Sequence, residues 1–244
     1  MKKNNVTISY AITACNEHEE LERLLLQVCE YGGEEDEIVI QLDQDTVTDE
    51  VRDVINSIIQ GGQSKPDIKV IEFPLNKDFA SFKNNLKSNC SKDYIFQIDA
   101  DEYLGEALLF DLPTLLNDNP DVDLFYVPRI NIVKNVSLEY IYSQRWRVDH
   151  FKFPIAEEYN YQIINYPDIQ ARIFRNSPDI KWVNKVHERI VGHETFSNLS
   201  CPIQPNFTED DFQAVEDWCI IHIKDIDRQI KQNNFYTEIA NENR

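Results

Sequence analysis

The stretch DYIFQIDADEYL, residues 93–104, delivers Asp99, Asp101 and Glu102 to the end of an apolar run made by Tyr94, Ile95, Phe96 and Ile98. An Asp-x-Asp spacing presents two hard oxygen ligands on one turn, which suits Mg2+ or Mn2+ and not a thiol-seeking metal. An ion held there could bridge a diphosphate and offset its charge. The competing explanation is a solvated acidic turn, since Asp-x-Asp is common by chance. Its place at the end of a buried strand argues for the ion. Asp43 ends a second such run, DEIVIQLD (36–43), and open α/β sheets bind ligands beyond the carboxyl ends of their strands. Asp43 and Asp99 are therefore expected to face one crevice. A nucleotide is the usual guest of that crevice. With only six glycines, however, the chain has neither G-x-G-x-x-G nor G-x-x-x-x-G-K, so any phosphate must be neutralised by other means.

The elements that would position these acids alternate along the first 130 residues. VTISYAITA (6–14) is β-rich, and EHEELERLLLQVCEY (17–31) carries a helical stripe of Leu21, Leu24, Leu25 and Val28 closed by Gly32-Gly33. Strands are expected at 36–43, 67–73, 93–99 and 122–133, with helices near 48–60, 78–90 and 106–117. Repeated βα units imply a mostly parallel central sheet with helices on both faces. Residues 134–205 read as irregular, rich in aromatics and prolines, and a last helix is expected near 209–235. No linker or repeat interrupts the 244 residues, so one domain is expected.

Composition narrows the function classes. With 24 Lys+Arg against 43 Asp+Glu, the formal charge is −19, which favours solubility and disfavours generic binding to nucleic acid or anionic membrane. The charge is uneven: residues 129–189 hold 10 basic and 7 acidic residues. Five scattered cysteines without a C-x-x-C read as reduced thiols of a soluble cytoplasmic protein. No apolar run is long enough to span a membrane, so no integral membrane contact is expected, and no obligate protein partner is evident. Lys2-Lys3 followed by VTISYAITAC superficially suits a lipoprotein signal ending at Cys15, but the apolar stretch is short and broken by Thr7, Ser9 and Tyr10, as a strand would be.

Taken together, the motifs resemble a family 2 glycosyltransferase of the GT-A fold, akin to small bacterial and phage enzymes related to those that build lipopolysaccharide core. The likeness runs through AITACNEHEEL (11–21), DEIVIQLDQDTVTDE (36–50), DFASFKNNL (78–86), DYIFQIDADEYL (93–104), YPDIQARIFRN (166–176), WVNKVHERIVG (182–192) and IIHIKDIDRQIKQNNFYTEIA (220–240). Two departures stand out. Lys83-Asn84 replaces the usual Arg-Asn, keeping the charge without the guanidinium fork, and Cys15 stands where a basic or polar residue is usual.

The resemblance implies a single α/β GT-A domain over 1–244, with 1–104 for the nucleotide sugar, 105–205 for the acceptor, and 206–244 a helical C-terminal segment. It implies a metal-dependent, inverting transfer from a nucleotide sugar, with UDP favoured, to a hydroxyl acceptor. Thr13, Asn16, Glu17, Asp43, Lys83, Asp99 and Ala100 would contact the donor. Asp99, Asp101 and His222 would hold Mn2+ or Mg2+, although a lone histidine among Trp218, Ile220, Ile221 and Ile223 is more often structural. Glu188, in Val-His-Glu, would take the acceptor's proton; its rival role is a surface ion pair with Lys185 or Arg189. Tyr140, Tyr142, Trp146, Phe151, Phe153 and Tyr161 are read chiefly as packing, with one or two available to stack on a sugar. Arg145, Arg147, Lys152, Arg172, Arg175, Lys181, Lys185 and Arg189 suggest an anionic acceptor, a glycan or a hydroxymethylated DNA base as with viral glycosyltransferases. The alternatives are a nucleotidyltransferase and a non-catalytic nucleotide-binding protein.

Overall fold

Strand β1 (Ile8–Ala14) is flanked on both sides by parallel partners, β2 (Glu37–Asp43) and β4 (Tyr94–Asp99), with β3 (Asp67–Phe73) outside β2. The computed structural model describes residues 5–62, 66–149, 161–199 and 217–242. Period-2 alternation sorts β1 between two cores. Ile8, Tyr10, Ile12 and Ala14 join Leu21, Leu24, Leu25 and Val28 of α1 (His18–Tyr31), Val51 and Ile55 of α2 (Asp49–Gln60), and Leu108, Leu109, Leu112 and Leu116 of α4 (Glu106–Asp118). Ala11 faces the other way, onto Ala80 and Leu86 of α3 (Phe79–Ser88). Helices thus cover both faces, as the βα pattern requires.

Beyond β4 the sheet becomes mixed. Its order is β3-β2-β1-β4-β8-β6-β12-β5, with β8 (Tyr161–Arg175) antiparallel to both β4 and β6 (Leu124–Lys134). The 15-residue β8 lies within the segment read from sequence as irregular. Two short strands, β7 (Val148–Asp149) and β11 (Phe196–Asn198), pair with β8 and β6, while β9 (Lys181–Val183) and β10 (Arg189–Val191) form a separate hairpin. A short helix, α5 (Leu138–Ser143), follows β6.

One connection shapes the whole sheet. Only Ala100 and Asp101 separate the end of β4 from β5 (Glu102–Leu104), yet β8, β6 and β12 lie between these strands in the sheet order. Four strand spacings of a flat sheet would be about 19 Å, and three residues reach only about 10 Å. The sheet must curl, and the acidic turn closes the curl.

The last segment differs from expectation. His222 lies on a strand, β12 (Ile220–Asp225), parallel to β6 and antiparallel to β5. The helix α6 begins only after it, at Ile226–Glu242; the 209–216 part of the expected helix lies outside the described residues. β-Branched Ile220, Ile221 and Ile223 favour a strand. No helix among the described residues is long and apolar enough to cross a membrane.

Candidate functional site

The carboxyl ends of β1, β2 and β4 open into a cleft of about 1370 Å3. Small-molecule pockets span roughly 300–1,000 Å3, so there is room for more than one ligand. Thr13, Asn16, Glu17, Asp43, Lys83, Asp99, Ala100, Asp101, Glu188 and His222 all line it, so every site residue expected from the sequence lies in one place. The opposite wall comes from α6, with Gln229, Gln232, Asn233, Phe235 and Tyr236. Phe79 at the start of α3 makes edge contacts with Phe235 and Tyr236, and Lys77 pairs with Glu238 at 2.7 Å.

The acidic turn is held by a buried ionic network. Glu102 is wholly buried and accepts from Arg172 Nη2 at 2.5 Å and Arg129 Nη1 at 3.0 Å. A second oxygen of Glu102 accepts the Asp99 backbone N–H at 3.0 Å. Asp99 Oδ2 receives both Arg172 Nη atoms at 3.2 Å, and its Oδ1 receives Thr13 Oγ1 at 2.9 Å. Burial raises the Asp99 pKa, but Lys83, Arg172 and the Thr13 bond overcome it and hold the group well below the ordinary carboxylate range. Neither Arg129 nor Arg172's inward role is legible from the residues alone, because both come from strands whose pairing only the fold reveals.

Asp101 points elsewhere. Its Oδ2 lies 3.1 Å from His222 Nε2, 3.4 Å from Lys224 Nζ and 3.6 Å from Arg228 Nη2. Burial opposes its charge, and His222, Lys224 and Arg228 win, leaving its pKa well below the usual value. Burial lowers the His222 pKa against the pull of Asp101, and lowers that of Lys224 likewise. Lys224 and Arg228 were missed in the sequence; they stand two and six residues after His222, a cue hidden while the stretch was read as one helix.

The donor set of Asp101 and His222 fits a divalent ion. Two ligands at right angles on an ion with bonds of ~2.1 Å stand about 3.0 Å apart, close to the 3.1 Å between Oδ2 and Nε2. Among the described residues no cluster of three or more His, Cys, Asp and Glu side chains could hold a metal. A partial protein shell is the habit of Mg2+, which takes one or two protein ligands and completes its shell with substrate phosphates and water. Asp99 fits less well, because Arg172 and Thr13 already engage both its oxygens.

Glu188 also lines the cleft, with its Oε1 2.7 Å from Lys83 Nζ; its partner is thus neither of the neighbours expected from sequence. Lys83 also sits 4.8 Å over the Trp182 ring. Asn84 pins the same hairpin, donating to the Trp182 carbonyl (2.8 Å) and accepting from its N–H (2.9 Å). Gly192 leaves the hairpin at φ +89, where a Cβ would strike the Asp179 carbonyl. His187, at φ 51, packs on Tyr236.

Two expected donor contacts also build the walls. Asp43 accepts from Thr46 Oγ1 and from the Leu75 N–H (3.0 Å), bracing the loop after β2. Glu17 accepts from the N–H groups of Cys15 and Asn16 and from Arg228 Nη2 at 2.8 Å, whereas Asn16 is exposed to the cleft. The basic residues of 145–189 disperse. Arg172 is internal, Arg175 pairs with Asp123 and Arg147 with Asp149, while Arg145, Lys181, Lys185 and Arg189 are exposed. Trp146 lines the cleft against Tyr140, and Tyr142 is exposed; Lys152, Phe151 and Phe153 lie outside the described residues.

Solved structures share this architecture. The S. aureus TarS fragment 1-349 in complex with UDP superposes with a TM-score of 0.54 at 14% identity, over 86% of this chain and 63% of that fragment. A second structure of that fragment gives 0.52 at 13% identity, over 80% and 58%. The chain therefore spans about three fifths of that fragment's length and 38% of the longer TarS structure. The mannosyltransferase PcManGT from Pyrobaculum calidifontis, in complex with GDP-Man and Mn2+, gives 0.42 at 17% identity, over 50% and 35%, a likeness too slight to argue from. Among curated protein sequences there is no match. Residues 9–182, well over half the chain, match glycosyl transferase family 2, and the chain belongs to that family.

Proposed function

We propose that this protein transfers a sugar from a nucleotide sugar, UDP-linked in the favoured case, to a hydroxyl acceptor with inversion at the anomeric carbon. The observation that carries the reading is the Asp101–His222 pair, flanked by Lys224 and Arg228, in a cleft that Glu188 also lines. Asp101 and His222 would hold Mn2+ or Mg2+, which when bound supplies positive charge to the departing diphosphate. Lys224 and Arg228 supply fixed charge to the same group. They take the place of the glycine-rich phosphate loop that the chain lacks. Thr13, Ala100 and Asp99 form the strand-end floor, and Asp43 with the Leu75–Phe79 wall bounds the nucleotide side. Residues 1–104 with β12 and α6 thus serve the donor, and 105–199 chiefly the acceptor.

Glu188 accepts the acceptor hydroxyl's proton as that oxygen attacks the sugar. Lys83, held between Glu188 and Asp99 at 2.7 and 3.8 Å, can turn to the donor's phosphates and so free the carboxylate. The test is mass spectrometry of products after offering a panel of sugar nucleotides and hydroxyl acceptors, with and without EDTA. Sugar transfer that is lost with EDTA and restored by Mn2+ is expected; nucleotidyl transfer from a nucleoside triphosphate instead would overturn the reading.

A further inference from the structure

A chain of hydrogen-bonded side chains runs from Arg129 through Asp168 and Asn131 to His222. Asp168 Oδ2 accepts from Arg129 Nε at 3.0 Å and Nη2 at 2.6 Å, and its Oδ1 accepts from Gln170 Nε2 at 2.6 Å. Burial works against its charge, but Arg129 and these bonds keep Asp168 ionised, and an ionised carboxylate can only accept. Asn131 Nδ2 donates to the same Oδ2 at 2.9 Å. This fixes the Asn131 amide, because the reversed amide would set its carbonyl against a carboxylate. Asn131 Oδ1 therefore faces His222, 3.1 Å from Nδ1. A carbonyl oxygen cannot donate, so Nδ1 carries the hydrogen. Nε2 is left facing Asp101 Oδ2. A charged ring fills that gap with a second N–H; in a neutral ring two lone pairs meet there, an arrangement that a divalent ion between them makes favourable.

We infer that Asn131 and Asp168 are positioning residues that hold His222 as its Nδ1–H tautomer and aim the Nε2 lone pair at the divalent ion shared with Asp101. The inference rests on the metal site proposed above and adds how that site is kept open. In the other tautomer Nε2–H would donate to Asp101, and the two ligands would satisfy each other instead of an ion. Asn131 opposes that self-pairing by demanding the hydrogen at Nδ1. The relay is written into the sheet: Asn131 is the register partner of His222, and Arg129 that of Asp168. Partners behind a metal-binding histidine typically change metal affinity by about 10–100-fold.

The test compares wild type, Asn131→Leu, Asp168→Asn and His222→Ala. Mn2+ binding is followed by electron paramagnetic resonance in the presence of saturating UDP, corrected for the Mn2+ that UDP binds alone. Asn131→Leu should weaken Mn2+ binding about tenfold or more. Asp168→Asn, which frees the Asn131 amide to turn, should act in the same direction and serves if the leucine variant does not fold. Proton NMR of the Co2+-loaded protein gives a reading that a merely structural role would not move. Wild type should show a slowly exchanging, hyperfine-shifted imidazole N–H that is absent from His222→Ala. In Asn131→Leu it should exchange at least about tenfold faster. If both relay variants bind Mn2+ within twofold of wild type and keep the slow N–H while His222→Ala loses the ion, the relay alone is overturned. If His222→Ala binds Mn2+ like wild type, the metal site falls and the relay with it.

Discussion

Lys83 Nζ lies 2.7 Å from Glu188 Oε1, so the proposed base is tied to a lysine whose alternative partner, Asp99, is 3.8 Å away on the donor side. On the proposed mechanism a donor phosphate would give that lysine a competing anion and free the base once the donor is in place. Glu188→Gln should therefore leave UDP affinity within a few-fold of wild type and lower turnover by about 10²-fold or more. Calorimetric UDP binding beside single-turnover transfer separates the two effects. Near-normal turnover would place the base elsewhere.

The positive charges around Asp101 discourage a lone divalent ion and welcome one that arrives with an anion. Mn2+ and UDP should then each tighten the other's binding by the same factor, about 5–150-fold. Titrating Mn2+ with and without UDP, and UDP with and without Mn2+, closes the cycle. Asp101→Asn should abolish the coupling, and independent binding in wild type would exclude a shared site.

Lys224 and Arg228 are expected to read the diphosphate rather than the nucleoside. Arg228→Gln and Lys224→Met should each weaken UDP by about tenfold or more, the range of a charge-assisted hydrogen bond. Uridine binding should be unchanged. Equal losses for UDP and uridine would mean that the variants disturb the fold of β12 and α6 instead.

The Asp168 carboxyl gives a pH signature. Its folded pKa is depressed, so its stabilisation is complete above the unfolded value of about 3.9 and is lost as pH falls through the folded value. Asp168→Asn should cost about 1–3 kcal/mol at pH 5–7, a drop in Tm of roughly 2–12 °C for a chain of this size. The gap from wild type should narrow as pH drops below about 4. Melting curves from pH 7 to 3 give the comparison, and a gap independent of pH would mean that the loss is not electrostatic.

The parallel half of the fold was legible because its signals are local: the α1 leucine stripe and the run ending at Asp99 each announce one element. The same locality exposed Asp43, Asp101 and Glu188, which sit at element ends. What stayed hidden depends on pairing between distant strands. Arg129, Asn131 and Asp168 draw no notice in the sequence, and Arg172 reads as an acceptor-side cation, until β6 and β8 are set side by side and show all four turned to one network. His222 illustrates the limit. The run IIHIK is short and apolar enough to suit either a strand or a buried helix, and only its place between β5 and β6 decides.

Arg228 reaches back to Glu17 across 211 residues of sequence. Contacts of such separation form late and slowly, because the entropy of closing the intervening loop must be met before they reward the chain. The floor of the cleft should consequently be among the last parts to become native on refolding. Catalytic competence on refolding should lag behind recovery of the parallel sheet, so that appearance of activity clocks the docking of the C-terminal segment rather than collapse of the core.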